Sequence, residues 1–100
     1  MDIRRGTTPE ITYEASHNAD SFDILWLSLK QGDIEITKEK LDVTINGKEI
    51  TFKLTQDETL SFKAGSVSMQ LRGRIGEEAV ADEIKSFGVK DIIRNGKIGD

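Results

Sequence analysis

Short runs of alternating apolar and polar residues, turn residues that interrupt them at hairpin intervals, and the lack of any sustained helical stripe predict an all-β chain. About seven such runs fit an antiparallel β-sandwich of immunoglobulin-like size, with helix confined to one short turn near residues 56–62. A small closed barrel would show the same alternation, and the sandwich is the expectation carried forward. Residues 9–93 are expected to form a single domain, with 1–8 a flexible N-terminal arm and 94–100 a frayed tail.

The elements follow in order. Residues 9–15 read as an opening strand with Ile11, Tyr13 and Ala15 on one face. A polar turn, residues 16–21, leads into the most apolar segment, residues 22–30, where Leu25, Leu27 and Leu29 share one face and Ile24, Trp26 and Ser28 the other. That strand is expected to be central and covered on both sides. Past Gln31-Gly32-Asp33, Ile34 and Ile36 alternate with Glu35 and Thr37 until the charged run Lys38-Glu39-Lys40. Residues 41–54 predict a hairpin around Asn46-Gly47, a pair suited to the positive φ angles of a type I′ turn. Thr55 and Glu58 have the spacing of a capping box, so one helical turn is expected, anchored by Leu60 and Phe62. Val67, Met69, Leu71 and Ile75 then face inward, and Gly73 in that series predicts a bulge or a close backbone approach. Residues 79–89 read as one long strand whose parity slips between Val80/Ile84 and Phe87/Val89, which predicts a bulge near Lys85-Ser86.

Composition narrows the function classes. Fourteen Lys and Arg against eighteen Asp and Glu give a net charge of -4, which disfavours binding to a phosphate backbone. No apolar run approaches the roughly 20 residues of a membrane span, and the N-terminus lacks the apolar segment of a signal peptide. The chain has no cysteine, hence no disulfide, thiolate nucleophile or Cys-ligated zinc, as suits a reducing cytosol.

Catalysis has little to work with. His17 is the single histidine, in a polar loop, and its reading is a solvated side chain. Asp57-Glu58, Glu77-Glu78 and Asp82-Glu83 are sequence neighbours, which a strand would point to opposite faces. No calcium loop, glycine-rich phosphate loop or nucleophile elbow is present, so no catalytic residue, metal or cofactor is expected. The candidates are instead for binding. Trp26, with Ile24, faces either a second layer of its own chain or a partner, and both readings stay open. Arg72 and Arg74 make a small basic stripe that would meet a partner's carboxylates or be balanced by Asp82 or Glu83 on the next strand. Tyr13 could join Trp26 as an aromatic platform for a saccharide. The N-terminal stretch could add to a neighbour's sheet edge, and Lys38, Glu39 and Lys40 either guard an edge or mark one that a partner extends.

Ile3-Arg4-Arg5-Gly6-Thr7-Thr8-Pro9, Leu54-Thr55-Gln56-Asp57-Glu58-Thr59, Gly65 opening a strand, Gln70-Leu71-Arg72, Ala81-Asp82-Glu83-Ile84 and Val89 together resemble a group of small proteins carried in prophage regions of Gram-positive, clostridia-like bacteria. The resemblance covers nearly the whole chain. In pattern and topology it is also distantly similar to the N-terminal β-sandwich domain of phage baseplate upper proteins, which attaches receptor-binding modules to the tail. The resemblance implies a non-enzymatic structural or adaptor module of a phage or phage-like particle, made in the bacterial cytoplasm and then associated with the virion. Its partners would be tail or baseplate proteins or further copies of itself. The chain stops after the sandwich, so an adaptor, decoration or assembly subunit is implied rather than a complete fibre. The alternative is a small carbohydrate- or ligand-binding sandwich.

Overall fold

The computed structural model describes residues 1–99. Among these residues nine strands form two sheets: β1 (Asp2–Arg4), β2 (Glu10–Glu14), β3 (Ile24–Gln31), β4 (Ile34–Glu39), β5 (Thr44–Asn46), β6 (Glu49–Lys53), β7 (Gly65–Ile75), β8 (Glu78–Ala81) and β9 (Lys85–Lys90). The larger sheet runs β1-β9-β7-β3-β4, with β8 also paired to β7, and the smaller runs β2-β6-β5. The all-β sandwich expectation therefore holds, with one short helix, α1 (Gln56–Ser61), where the capping box placed it.

The core lies between the sheets. Leu25, Leu27 and Leu29 of β3, Val67, Met69 and Leu71 of β7, and Phe87 and Val89 of β9 meet Ile11 and Tyr13 of β2 and Ile50 and Phe52 of β6. The period-two geometry of each strand does this sorting, since a one-residue slip would send the leucines of β3 to solvent. Gly73 answers to a close approach rather than a bulge. A Cβ there would collide with the Phe22 ring and come within 2.5 Å of the Ile24 carbonyl oxygen.

Five expectations are corrected. The N-terminal arm is an edge strand: Asp2–Arg4 pairs in parallel with Gly88–Lys90, burying Ile3, so the sheet is not purely antiparallel. The strand expected over residues 79–89 is two strands on one edge of β7, separated where residues 82–84 leave the sheet. That break accounts for the parity slip without a bulge at Lys85-Ser86. Leu41 sits in a 3-10 turn, Lys40–Asp42, fully exposed, and the hairpin is shorter than expected. Its register pairs Asn46 with Glu49, so the central turn residues are Gly47 and Lys48, with φ +61° at Gly47, the first-position glycine of a type II′ turn rather than a type I′ Asn-Gly pair. Finally, β3 is central but covered on one side only.

The N-terminal segment, α1 and the chain just after β9 are joined to one another. Arg5 donates from Nε to the Phe62 carbonyl (2.7 Å) and from Nη2 to the Leu60 carbonyl (3.1 Å), partnering carbonyls at the C-terminal end of α1. Its Nη1 pairs with Asp91 at 2.8 Å, and that guanidinium holds the Asp91 carboxyl below its ordinary range. The buried Thr59 hydroxyl donates to the Thr7 carbonyl at 2.8 Å, and the Leu54 amide donates to the Pro9 carbonyl. Gly6 turns here at φ +73°, a conformation that favours glycine. On the same helix Glu58 meets Lys38 of β4 at 2.8 Å; burial pushes its carboxyl up, but Lys38 and the Thr55 amide outweigh this and hold it below the ordinary value. These contacts tie the N-terminal segment, α1 and β4 into the fold.

Among the described residues after β9, 91–99, there is no regular secondary structure. Ile93 and Ile98 are exposed, while Gln56 exchanges hydrogen bonds with the Ile98 backbone. Among the described residues no helix is long and apolar enough to cross a membrane.

Candidate functional site

The outer face of the larger sheet is the surface that needs explaining. On β3 the parity that buries three leucines turns Ile24 and Trp26 outward, 41% and 45% exposed. Around Trp26 lies an open trough of about 590 Å3, floored by Ser28, Lys30, Gln70 and Arg72 and bounded by β4 on one side and Ile84 on the other. Hairpin pairing across Gly32-Asp33 sets Glu39 beside Trp26 and Thr37 beside Ser28; β7 sets Arg72 and Gln70 on the opposite side of the same two residues. The Arg72 guanidinium carbon stands 5.8 Å from the centroid of the Trp26 ring, within cation–π range. Ser28 and Thr37 share a hydrogen bond of 3.0 Å between their hydroxyls.

Of the residues singled out from sequence, Ile24, Trp26, Arg72 and Arg74 come together on this face. Arg72 and Arg74 are exposed, and among the described residues neither is ion-paired with Asp82 or Glu83. Tyr13 does not join them. It is 1% exposed and lies between the sheets, so it offers no aromatic platform. Burial pushes its phenol up to about 12, with the nearby Asp82 carboxylate adding to the effect. Glu39 and Thr37 are not among the sequence candidates, because Glu39 belongs to a charged run whose two edge readings stay open and Thr37 to a half-exposed strand; counting outward from the Gly32-Asp33 turn places both beside β3.

A second cluster lies where residues 82–84 leave the sheet. Asp82 reaches across to β2 and the loop after it: it accepts hydrogen bonds from the Ser16 hydroxyl, the Ser16 amide (3.1 Å) and the Tyr13 phenol (3.3 Å). His17 Nδ1 lies 2.9 Å from the same Ser16 hydroxyl. Serine, histidine and aspartate thus meet, but in the wrong order for catalysis. A carboxylate only accepts, so the Ser16 hydroxyl donates its single hydrogen to Asp82, and its oxygen is left to accept from the His17 Nδ1–H. The imidazole is then no base for the serine, and Asp82 orients no imidazole. The cluster is an inter-sheet clamp. The same Asp82 has its carbonyl held by the Gln70 amide at 2.9 Å, and Lys85 lies 4.4 Å from the Tyr13 ring centroid. Lys38 and Lys40 are likewise structural: Lys38 pairs with Glu58, and Lys40 donates to the Phe22 carbonyl at 2.6 Å.

No protein-family model matches the chain, and no curated protein matches it. Among solved structures, it is similar to the crystal structure of "a putative glycoside hydrolase from Bacteroides vulgatus ATCC 8482", with a TM-score of 0.53 and 16% sequence identity. The match covers 93% of this chain and 17% of that one, so this chain spans under a fifth of its neighbour's length. At that identity the likeness is one of fold: two packed sheets in a similar arrangement.

Proposed function

We propose that this chain is a non-enzymatic docking module, a structural or adaptor component of a phage or phage-like particle, and that the outer face of its larger sheet is the docking surface. The observation that carries the reading is the exposure of Trp26 and Ile24 on an interior strand whose other face packs into the core. Tryptophan and arginine are the residue types enriched where protein interfaces bind most strongly, and here Arg72 lies against Trp26. The prophage resemblance supplies the setting; of the residues that carry it, Arg5, Thr7 and Thr59 are taken up in the fold, while Gln70, Arg72 and Ile84 line this face.

The test uses particles induced from a lysogen that carries the sequence. Wild-type chain is expected in purified particles or their assembly intermediates, and a folded Trp26→Ala chain is expected to be made but left out. Absence of the wild-type chain from both fractions contradicts the particle reading.

One observation favours a second reading. The trough combines an indole with the hydroxyls of Ser28 and Thr37 and the amide of Gln70, a set that suits a saccharide ring, and a similar fold occurs within a protein described as a glycoside hydrolase. Titration with soluble oligosaccharides, followed by the fluorescence of the single tryptophan, separates the two. Saturable quenching that Trp26→Ala abolishes would favour the saccharide.

A further inference from the structure

The outer face of the larger sheet carries its charges in columns. Arg72 and Arg74 stand on β7, Glu35 and Glu39 stand on β4, and β3 runs between them with Ile24, Trp26, Ser28 and Lys30. Across the three strands the register makes rows: Arg72, Trp26, Glu39; then Gln70, Ser28, Thr37; then Ser68, Lys30, Glu35. Strands lie about 4.8 Å apart, so Arg72 and Glu39 stand roughly 10 Å from each other with the indole between them. Neither belongs to any of the four ion pairs among the described residues. A face with its cations on one flank, its anions on the other and an exposed aromatic on the midline is complementary to itself.

We infer that the occupant of this face is a second copy of the chain, docked about a two-fold axis lying in the interface along β3. The inference rests on the reading of this face as a docking surface and names its partner. An axis along β3 lays β7 of one copy over β4 of the other without moving either along the strand direction. Arg72 then meets the partner's Glu39, the contact occurs twice, and the two Trp26 rings meet at the midline. Gln70 faces the partner's Thr37, amide to hydroxyl. The two Lys30 ammonium groups approach each other near the axis, each with its own Glu35 as cross-strand neighbour. A two-fold axis across the strands would instead stack β7 on β7 and β4 on β4, like charge on like charge, so charge selects the axis along β3.

An axis along β3 overlays β4, β3 and β7 of the two copies, since β4 is the sheet edge, so the contact patch is three strands wide, about 15 Å, and roughly seven residues, or about 23 Å, long. At roughly 350 Å2 per copy that falls below the size of stable specific interfaces and in the range of weak, transient ones, so the dimer should form only toward the top of a concentration series. The experiment is light scattering across a concentration series of the full chain, with folding of each variant checked by circular dichroism. The wild-type mass is expected to rise from 11.1 kDa toward twice that value. Arg72→Glu and Glu39→Arg, each alone, set like charges against each other in the homodimer and should weaken it at least tenfold. Mixed in equal amounts, the two variants complement each other at both contacts, so the mixture should recover the dimer mass as a heterodimer.

A wild-type chain that stays monomeric throughout overturns the second copy as occupant. So does a dimer indifferent to both substitutions, or a mixture that stays monomeric. In each case a Trp26→Ala chain still excluded from particles leaves the docking surface standing with a different partner. A Trp26→Ala chain that dimerises and assembles like wild type removes the docking surface as well.

Discussion

The two faces of β3 are built from similar residues and do different things. Leu25, Leu27 and Leu29 point into the sandwich and are at most 1% exposed, while Ile24 and Trp26, one residue out of step, are two-fifths or more exposed. Hydropathy does not distinguish them; the cover does. The three-stranded sheet closes over one face of the larger sheet and leaves Ile24 and Trp26 on the other face open. Stability and binding should therefore separate along a single strand, substitution by substitution.

The largest expected effect is on the inner face. Leu27→Ala removes a fully buried side chain from the middle of the core and should cost about 2–5 kcal/mol, read as a fall in the urea midpoint with little change in slope. Should Leu27→Ala prove as mild as a surface change, the assignment of the inner face fails. Next is the clamp that joins the sheets at the edge of that face. Asp82→Ala frees the Ser16 hydroxyl and amide and the Tyr13 phenol at once, and should cost on the order of 2 kcal/mol. His17→Ala, which leaves Asp82 bonded to Ser16, should cost much less, and equal losses would contradict the proton order derived above.

A smaller effect is expected with pH. Because the Tyr13 phenol is pushed up to about 12, the folded chain holds that proton after the unfolded chain has lost it near the ordinary value of 10.0. The contribution is thus fully present below pH 10 and is lost as pH rises toward 12. Alkaline urea titrations should show this loss in the wild type and a reduced one in Tyr13→Phe; an identical alkaline profile in both would remove Tyr13 as its source.

Much of this was legible in sequence because it is local. The parity of Leu25, Leu27 and Leu29 fixed which residues of β3 share a face, and Thr55 with Glu58 announced α1, since a capping box is complete within four residues. What escaped depends on partners far along the chain. Residues 1–8 are polar, and only β9, more than eighty residues away, makes Asp2–Arg4 a strand. The break at residues 82–84 answers to Tyr13 on the other sheet and Ser16 in the loop after it, which no local pattern reports. Of the candidate site, Ile24 and Trp26 were visible as a pair of alternate residues, but whether they faced core or solvent hung on how much of the chain remained to cover them. The row of Arg72, Trp26 and Glu39 joins three strands and needs the pairing of β3 with β7 as well as its own hairpin.

The central claim is that Trp26 belongs to a docking surface and not to the core. The most direct measurement is the urea unfolding of Trp26→Ala beside wild type, at a protein concentration low enough that both are monomeric, so that association adds nothing to apparent stability. The account predicts unfolding free energies within about 0.5 kcal/mol of each other, as for a surface substitution. A loss of several kcal/mol, or a variant that does not fold, would place Trp26 in the core and contradict the account.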